Sequence, residues 1–448
     1  MDEAQVDLLG PVEVLHKHLT ESLCEEVFAA RRIGERRRIW TLTKLAEFWT
    51  AVILRAPSSL HHALEQAFAG VGGFPEVAGT KQAFFERAKG LKWEFFRDLF
   101  DGFTERVVGE TPPAFETELR AELPGFTEVF VADGTGLDRV AHRLKVLWDE
   151  RSVVLPGKLL VLYDLFRGVP RVVEFDPDAK AHEVPELTAK LDAVPRGTLI
   201  LGDRLYCSMS LFGEFEKRGL YGLIRRKKKQ VVKRLLTLST VTRDRVTIDD
   251  LRVLVGTGRY TPKRTLRLIR WRRGKKELQL FTDVLDPQKL PAETALRVYA
   301  RRWKIERLFY DLKVVLNLRS FYAANANAVA MQVYAAAMVY VAMRAAQAKI
   351  AAAHTLPPER LSPKKLFPRI AAASYAIVQC RLGYLTTCAA NPGVKLVEPD
   401  WASMDFARAL LDDLLVKPRN NHRRRRRRCP ARERSTSLHV YARRKRIN

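Results

Sequence analysis

The chain changes character at residues 128–133, which read EVFVAD. Residues from about 10 to 124 show helical periodicity, with breaks at 57–59, 70–73 and 112–113 and no convincing strand alternation. From Glu128 onward the pattern changes to short runs rich in Val, Leu, Ile and aromatic residues, which are typical of sheet strands. We therefore predict a helical N-terminal domain over 1–124 and a sheet that begins at Val129.

A mixed α/β core is predicted beyond this point. The apolar runs predict strands and the segments between the later runs predict helices, in the order β-β-β-α-β-α-β. The strands are predicted at 129–132, 158–166, 169–175, 198–201 and 221–224, and the helices at about 183–191 and 208–218. This core spans 125–226 and resumes at 286–322.

A β-rich and very basic stretch separates the two parts of the core. Strands predicted at 265–272 and 277–282 flank the turn Arg273-Gly274-Lys275 as in a hairpin. We interpret 227–285 as an insertion that interrupts the core. A helical, alanine-rich region is predicted after the core, at 323–416.

The charge of the chain favours a polyanionic partner. Its 448 residues include 78 Lys and Arg against 51 Asp and Glu, a net charge of +27. Such an excess favours nucleic acid, with a membrane surface as the weaker alternative. Part of the charge lies in a basic tail, 417–448, where the run Arg423 to Arg428 is expected to be disordered. The tail has the same electrostatic preference, although a dispensable extension stays open.

Neither a membrane span nor a disulfide framework is expected. Residues 328–343 form the longest apolar stretch, but it is interrupted by Gln332 and falls short of the roughly twenty residues that a spanning helix needs. We predict that it is a buried helix. The polar N-terminus lacks the pattern of a secretory signal, and five cysteines without C-x-x-C spacing suit a reducing cytosol. We expect a cytoplasmic, nucleoid-associated protein whose cysteines are packing residues.

Two aspartates follow strands of the predicted core. Asp133 follows the first strand, in Val131-Ala132-Asp133-Gly134-Thr135, and Asp203 follows the fourth, in Gly202-Asp203-Arg204-Leu205-Tyr206. Ligand sites of open α/β sheets form outside the carboxyl ends of strands, where both aspartates would lie. An aspartate at such a position is also a common turn or helix cap, and for either residue alone that alternative stays open.

A predicted helix carries Tyr299, Arg302, Glu306 and Lys313 on one narrow stripe. At about 100° per residue these four positions fall within an arc of roughly 60°. An adjacent apolar face would pack on the core, and it comprises Ile305, Leu308, Phe309, Leu312 and Leu316. The helix could thus be docked while its stripe faces a cleft. An ordinary amphipathic helix with solvated charges is the alternative.

Metal-assisted phosphoryl chemistry requires two or three carboxylates that converge from different elements. Asp133, Asp203 and Glu306 could hold two Mg²⁺ ions about 4 Å apart, one activating the attacking oxygen and one stabilising the leaving oxygen. An oxygen-only ligand set suits Mg²⁺ or Mn²⁺ better than zinc. The sequence therefore predicts a two-metal site on these three acids.

The same residues give the chain a resemblance to a known family. It resembles DDE transposases of bacterial insertion sequences, specifically the IS-four family. The family signature, Y-(2)-R-(3)-E-(6)-K, is matched by Tyr299, Arg302, Glu306 and Lys313. The two aspartate motifs of the family are similar to Asp133-Gly134-Thr135 and Gly202-Asp203-Arg204-Leu205-Tyr206, and the resemblance spans about 125–320. It implies a ribonuclease H-like catalytic core with a β-rich insertion between the second aspartate and the glutamate.

The resemblance also implies a cut-and-paste reaction. Water activated at the three acids would hydrolyse the phosphodiester at each end of the mobile element and free a 3′-OH, which would then attack target DNA. Tyr299, Arg302, Lys313 and Arg204 would hold the phosphate of the cleaved end, because cations bind phosphate oxygens strongly. The partners would be the terminal inverted repeats, bound by the helical N-terminal domain, and target DNA. A homodimer would bridge the two ends.

Two tryptophans are candidates for base stacking. Several members of the family that the chain resembles form a DNA hairpin and flip a base onto a tryptophan. Trp271 in the insertion and Trp303 beside the signature are available here. Core packing is the commoner use of tryptophan, and we prefer that alternative for both residues.

Other polar residues carry weaker signals. Four acids could assist metal binding, although spacing does not distinguish them from solvated loop acids. They are Asp164, Asp176, Asp178 and Glu183. His182 is interpreted as a cap or surface residue. The basic run 225–229 is either a solvated face or, as we prefer, a track for the DNA backbone that binds without reading sequence.

Three functions stay open from the sequence. A cut-and-paste transposase explains the three acids, the signature, the positive charge and the insertion together. A metal-dependent nuclease without joining activity would share the acids but would not need an end-binding domain, so terminal inverted repeats flanking the gene would argue against it. A non-catalytic DNA-binding derivative could lose an acid, whereas all three are present.

Overall fold

The computed structural model of the protein describes most of the chain. The described residues are 5–35, 38–137, 157–178, 181–228, 230–258, 262–318, 321–322, 325–390, 399–400 and 404–416. The basic tail with its arginine run and Cys429, and Lys229 of the basic run, lie outside the described residues. Apart from Val416, the described residues belong to one compact unit within Met1–Leu415.

The helical periodicity of the N-terminal region corresponds to seven helices among the described residues. They are α1 (Gly10–His18), α2 (Glu21–Ala30), α3 (Leu42–Arg55), α4 (Leu60–Phe68), α5 (Lys81–Gly90), α6 (Glu94–Glu110) and α7 (Thr117–Ala121). The side chains of Thr20, Thr41, Ser59 and Thr80 each accept a backbone N–H from the first turn of the helix that follows. These caps explain where α2 to α5 begin. The three predicted breaks all lie between helices.

The strands that follow form one nine-stranded sheet in the order β4-β3-β2-β5-β6-β10-β9-β8-β7. They are β2 (Val129–Gly136), β3 (Lys158–Asp164), β4 (Val169–Asp176), β5 (Leu199–Gly202), β6 (Tyr221–Arg225), β7 (Val232–Arg243), β8 (Val246–Val255), β9 (Arg264–Arg273) and β10 (Lys276–Thr282). Helices α8 (Glu183–Lys190) and α9 (Met209–Arg218) lie on either side of β5 in the sequence. The predicted order β-β-β-α-β-α-β is confirmed.

The sheet is mixed, as predicted. β2, β5 and β6 run parallel, whereas β3 is antiparallel to both β2 and β4. The hairpin predicted on either side of Arg273-Gly274-Lys275 is formed by β9 and β10. Because β10 pairs antiparallel with β6, the strands of the basic stretch extend the same sheet.

Side chains of the central strands alternate between two apolar layers, as a period of two requires. Val129, Val131 and Leu201 pack in a layer that also contains residues of α3, α6 and the long helix α12 (Ala326–Ala353). Phe130 and Ile200 point the other way and pack with residues of α8 and α9. We call these two sides of the sheet the α12 face and the α8 face.

The apolar stretch at 328–343 lies within α12, and its prediction as a buried helix is confirmed. Among the described helices α12 is the one long and apolar enough to cross a membrane, but 89% of its most apolar stretch is buried inside the protein. The helix contacts α1, α3 and α6. Its alanines thus allow close packing within this chain.

The C-terminal part adds a pairing that the sequence did not predict. Helix α13 (Pro363–Ala390) is followed by β11 (Arg408–Leu410) and the short α14 (Leu411–Leu414). β11 pairs antiparallel with a short strand near the other end of the chain, β1 (Gln5–Asp7). Three residues are too few to show strand alternation, so local pattern could not reveal this pair.

Packing accounts for only some of the cysteines. Cys24 and Cys207 are buried, in keeping with the predicted packing role, whereas Cys380 is exposed, so the prediction is wrong for it. None of the four described cysteines is in a disulfide.

The segment that carries the signature is not one regular α-helix, and that prediction is wrong. It consists of α10 (Ala292–Ala300), a 3₁₀ turn (Arg301–Trp303), α11 (Lys304–Tyr310) and a π turn (Asp311–Val315). The N–H of Leu316 donates to the carbonyl of Asp311, five residues earlier, at 2.9 Å. Tight and wide turns change the rotation per residue, so a 100° wheel does not hold along the segment. The predicted apolar face is nonetheless buried at all five positions.

Candidate active site

The register of the parallel strands brings the two sequence-predicted aspartates side by side. Val131 of β2 pairs with Leu201 of β5, so continuing the register places Asp133 beside Asp203. Gly202 pairs with Ile224 of β6, which places Arg225 on the other side of Asp203. Two carboxylates and a guanidinium therefore follow one another across three parallel strands. The prediction that Asp133 follows its strand is wrong, because β2 continues to Gly136 and Asp133 lies within it.

Asp133 has hydrogen-bond partners at both of its carboxylate oxygens. Its Oδ1 accepts the N–H of Gly134 at 3.0 Å, and its Oδ2 accepts a hydrogen bond from Nη1 of Arg302 at 3.3 Å. Burial raises the pKa of Asp133 to about 6, against the opposing effect of Arg302, and the nearby charges of Asp203 and Glu183 raise it further. The positive charge of Arg302 at this carboxylate therefore favours its ionised form.

Arg302 connects Asp133 to Glu306. This arginine is buried, and its Nη2 lies 3.6 Å from Oε1 of Glu306, one helical turn further on. The side chain of Glu306 is 46% exposed. The two acids therefore share a single guanidinium, with Asp133 on the inner side and Glu306 toward solvent.

Tyr299 is fixed at the end of β5. Its hydroxyl donates to the carbonyl of Gly202 at 3.2 Å, directly before Asp203. Burial raises the pKa of Tyr299 to about 12, although Arg302 and Arg225 act to lower it. The phenol is therefore neutral near pH 7 and acts as a hydrogen-bonding group.

Lys313 lies at the end of β2. Its Nζ donates to Oγ1 of Thr135 at 2.6 Å and to the carbonyl of Gly136 at 3.0 Å. Arg204 is exposed in the loop after β5, where Oδ1 of Asp203 accepts the N–H of Leu205 at 2.6 Å. The signature residues Tyr299, Arg302 and Lys313 thus all contact residues of the central strands β2 and β5.

The two tryptophans have different environments. Trp303 is 63% exposed, so the core-packing alternative is wrong for this residue. The guanidinium carbon of Arg302 lies 5.0 Å from the centre of the Trp303 ring. Trp271 is half-buried on β9, where it pairs with Ile248 and Leu278 in the extension of the sheet. Of the two, Trp303 is the one beside the acids.

Several of the weaker candidates have structural partners. Asp164 is fully buried, and its Oδ1 accepts the N–H groups of Phe166 and Arg167 in the turn after β3. Oδ1 of Asp176 accepts the N–H of Asp178 at 2.7 Å. His182 is exposed and makes no side-chain cap for α8, which agrees with a surface residue.

The basic run is divided between structural and exposed residues. Arg226 donates to the side chain of Gln279 and to the carbonyl of Gln230, so its guanidinium is used within the fold. Lys227 and Lys228 are exposed. A backbone track therefore stays a prediction for these two lysines.

Glu183 is the residue whose weight the sequence underestimated. It opens α8, and its Oε2 accepts the hydroxyl of Tyr206 at 2.6 Å while its Oε1 lies 2.8 Å from Nζ of Lys158. Tyr206 closes the motif that contains Asp203, and an acid in the first turn of a helix is common for reasons of helix polarity alone. Tyr206 was the sequence signal for this contact, but the sequence does not show that Glu183 is its partner.

The donor atoms of the three acids suit a hard divalent cation, but the three side chains are not gathered around one point. Their donors are carboxylate oxygens, which hard cations prefer. Burial and the charge of Asp203 raise the pKa of Asp133, and a bound cation would lower it again. Within the described part of the chain, however, no three His, Cys, Asp or Glu side chains gather closely enough to hold one ion. Glu306 and Asp133 both contact Arg302, which lies between them.

Comparison with known proteins gives matches over the region that contains this site. Residues 124–342 match the family model described as the transposase DDE domain. The chain is 25% identical over 252 residues to "Putative transposase y4zB" of Sinorhizobium fredii, covering 52% of this chain and 70% of that protein. It is 24% identical over 230 residues to "Putative transposase for insertion sequence element IS4SA" of Synechocystis sp., covering 49% of this chain and 60% of that protein. These matches support a DDE transposase.

Proposed function

We propose that this chain is a cut-and-paste DNA transposase that binds the ends of its insertion sequence, cleaves them and joins the freed 3′-OH ends to target DNA. The observation that carries the proposal is the contact of Arg302 with both Asp133 and Glu306, with Asp203 one strand away. This contact ties the signature segment to the strand end on which a DDE site would be built. DNA is the partner that a transposase domain implies.

The topology supports a ribonuclease H-like core. Three strands, β4-β3-β2, form an antiparallel unit, and β5 and β6 continue the sheet parallel to β2. The proposed ligand Asp203 follows β5, and Asp133 lies beside it on β2, just beyond the part of β2 that pairs with β5. Open α/β sheets form their ligand sites outside the carboxyl ends of their parallel strands.

Asp133, Asp203 and Glu306 would hold Mg²⁺ or Mn²⁺. Two such ions, when bound, would activate the attacking oxygen and stabilise the oxygen that leaves phosphorus. Arg302 contributes by keeping Asp133 ionised, because its guanidinium lowers the pKa that burial raises. The side chain of Glu306 is more exposed than that of Asp133, 46% against 20%.

Four residues would hold the phosphate of the cleaved strand. Arg302 offers a planar guanidinium, Lys313 a point charge and Tyr299 a neutral hydroxyl, while Arg204 is exposed beside Asp203. Tyr299 and Lys313 also donate to Gly202 and Thr135, contacts that fix their positions relative to β5 and β2. These residues position the strand and do not react.

Trp303 is the better candidate for a flipped base. An exposed ring held against a guanidinium can stack on a base, whereas Trp271 is half-buried in the sheet. A hairpin intermediate would use this ring. We also propose that the helical N-terminal region binds the terminal repeats and that two protomers bridge them.

The test is cleavage of a duplex that carries the DNA flanking this gene, in Mg²⁺ and in Mn²⁺. We expect the parent protein to cut at the element boundary and Glu306→Gln to bind the duplex without cutting. Glu293→Gln, an exposed acid in the first turn of α10, is the matched control and should cut normally.

Other outcomes of this experiment favour the other functions. Cutting without joining of the 3′-OH to a second duplex would favour a nuclease. Binding by the parent without cutting in either metal would favour a non-catalytic DNA-binding protein.

A further inference from the structure

Glu183 lies behind the candidate active site, on the opposite side of the sheet. Asp133 follows Val129 and Val131 in the alternation and belongs to the α12 face, as do Tyr299 and Ile305. Helix α8 packs on the α8 face through Leu187. The first residue of α8 therefore approaches the aspartate-bearing strand from the side that Arg302 does not occupy.

Three elements meet at the Glu183 carboxylate. Its Oε2 accepts the hydroxyl of Tyr206, three residues after Asp203, at 2.6 Å. Its Oε1 lies 2.8 Å from Nζ of Lys158, the β3 residue that pairs with Gly136 of β2. One side chain of α8 thus connects the loop after β5 to β3, the strand that pairs with β2.

Gly134 explains how this carboxylate comes so close to β2. A Cβ at position 134 would overlap the Glu183 carboxylate, so any side chain there would displace it. The φ of Gly134 is not positive, so the glycine is required for space and not for backbone conformation. The residue next to Asp133 therefore makes room for Glu183.

We propose that Glu183 is a positioning residue that fixes the spacing between Asp133 and Asp203. The inference rests on the proposed function, because that spacing matters when the two aspartates hold a divalent cation together. Both aspartates carry like charge in adjacent positions, so they repel each other in the protein alone. The Glu183 side chain is bonded to Tyr206 of the loop that contains Asp203 and is packed against Gly134, next to Asp133, so from the opposite face it resists a change in that spacing.

Lys158 balances the negative charge of Glu183. Its ammonium group pairs with Glu183, and the side chains of both are largely buried, 16% and 10% exposed. Tyr206 is fully buried, so its hydroxyl has a fixed position from which to donate. Residues that orient metal ligands without touching the metal typically change metal affinity or activity about 10- to 100-fold when substituted.

The test compares Glu183→Gln and Tyr206→Phe with the parent, using the full chain bound to a duplex of the DNA that flanks the gene. Binding of Mn²⁺ is measured by electron paramagnetic resonance, and cleavage is measured separately. Tyr206→Phe removes only a hydroxyl group, so it remains informative if Glu183→Gln folds poorly. Asp192→Asn, an exposed acid paired with Arg218, is the matched control.

We expect Glu183→Gln to weaken Mn²⁺ binding about 10- to 100-fold, Tyr206→Phe to weaken it less, and DNA affinity to stay within about twofold of the parent. The effects of the two substitutions should not fully add in the double variant, because both alter the contact between Glu183 and Tyr206. Added Mn²⁺ should restore part of the lost cleavage.

The possible failures are distinguishable. Equal Mn²⁺ affinity in the parent and both variants would overturn the positioning role while leaving the proposed function intact. Additive losses, or losses that follow thermal stability alone, would assign Glu183 a purely structural role and overturn it as well. A parent that neither binds Mn²⁺ nor cleaves would overturn the proposed function, and the inference with it.

Discussion

Arg302 donates a hydrogen bond to Asp133 across 169 residues of sequence, with Nη1 3.3 Å from Oδ2. The same guanidinium reaches Glu306 with its other terminal nitrogen, at 3.6 Å. A planar group with two separate donors can serve two carboxylates at once, which a single ammonium group cannot do with the same geometry. Arg302 therefore connects the signature segment to β2.

Substituting Arg302 by lysine should therefore impair cleavage even though the charge is kept. We expect a loss of about 10- to 100-fold, the equivalent of one charge-assisted hydrogen bond, with a smaller effect on duplex binding. Arg301→Lys is the matched control, because Arg301 is the adjacent arginine and its Nε contacts Glu116 away from the acids. Single-turnover cleavage and duplex affinity measure the two effects. Equal cleavage rates for Arg302→Lys and Arg301→Lys would contradict the role of Arg302 in connecting the signature segment to β2.

Trp303→Ala should leave stability nearly unchanged, because the ring is 63% exposed. We expect the free energy of unfolding to change by less than about 0.5 kcal/mol. If Trp303 receives a flipped base, the variant should lose about 1–3 kcal/mol of stacking in the DNA complex. The fluorescence of 2-aminopurine at the element end would then fall to that of an unflipped base. Trp303→Phe should keep part of the signal, and a signal that Trp303→Ala does not alter would remove this role.

Lys313→Gln tests whether this lysine reaches phosphate as well as Thr135. One phosphate contact contributes about one unit to the slope of log affinity against log salt, so the slope should fall by about one. Thr135→Val removes the 2.6 Å partner of Nζ without changing charge and is the control. We expect it to leave the slope unchanged while lowering cleavage. Identical slopes for the parent and Lys313→Gln would show that the lysine serves the fold alone.

The sequence predicted the parts of the fold that local pattern determines. Residues of β2 alternate between two apolar layers, so the start of the strand could be predicted, but β2 continues to Gly136 and Asp133 lies within it. Asp203 follows β5, as predicted. The meeting of these acids required only the rule that ligand sites form at the carboxyl ends of strands.

What the sequence did not predict depends on distant contacts. The pairing of β1 with β11 joins the two ends of the described chain, and neither strand has a pattern of its own. The π turn at Asp311–Val315 contains the backbone hydrogen bond from Leu316 to Asp311, which no residue type in the segment predicts. Glu183 looked like any acid that begins a helix, because its partners Lys158 and Tyr206 are brought to it only by folding.

Asp283 should make the protein less stable as pH rises. It follows β10, its Oδ1 accepts the N–H of Gly222 at 2.8 Å, and burial raises its pKa from 3.8 to about 7. The folded state therefore binds a proton that the unfolded state has already released between these pH values. The contribution of Asp283 to the free energy of unfolding is greatest below about pH 4 and is lost progressively up to about pH 7.

Asp283→Asn removes this dependence and keeps an oxygen for Gly222. The variant should be more stable than the parent by up to about 4 kcal/mol at pH 8, and the difference should shrink steadily toward pH 4. Urea denaturation at pH 8, 6 and 4.5 measures it. Asp286→Asn is the matched control, because Asp286 also accepts a backbone N–H, from Gln288, but is exposed. Parallel pH profiles for the parent and Asp283→Asn would mean that Asp283 stays ionised in the folded protein, with Gly222 and the surrounding backbone compensating its burial.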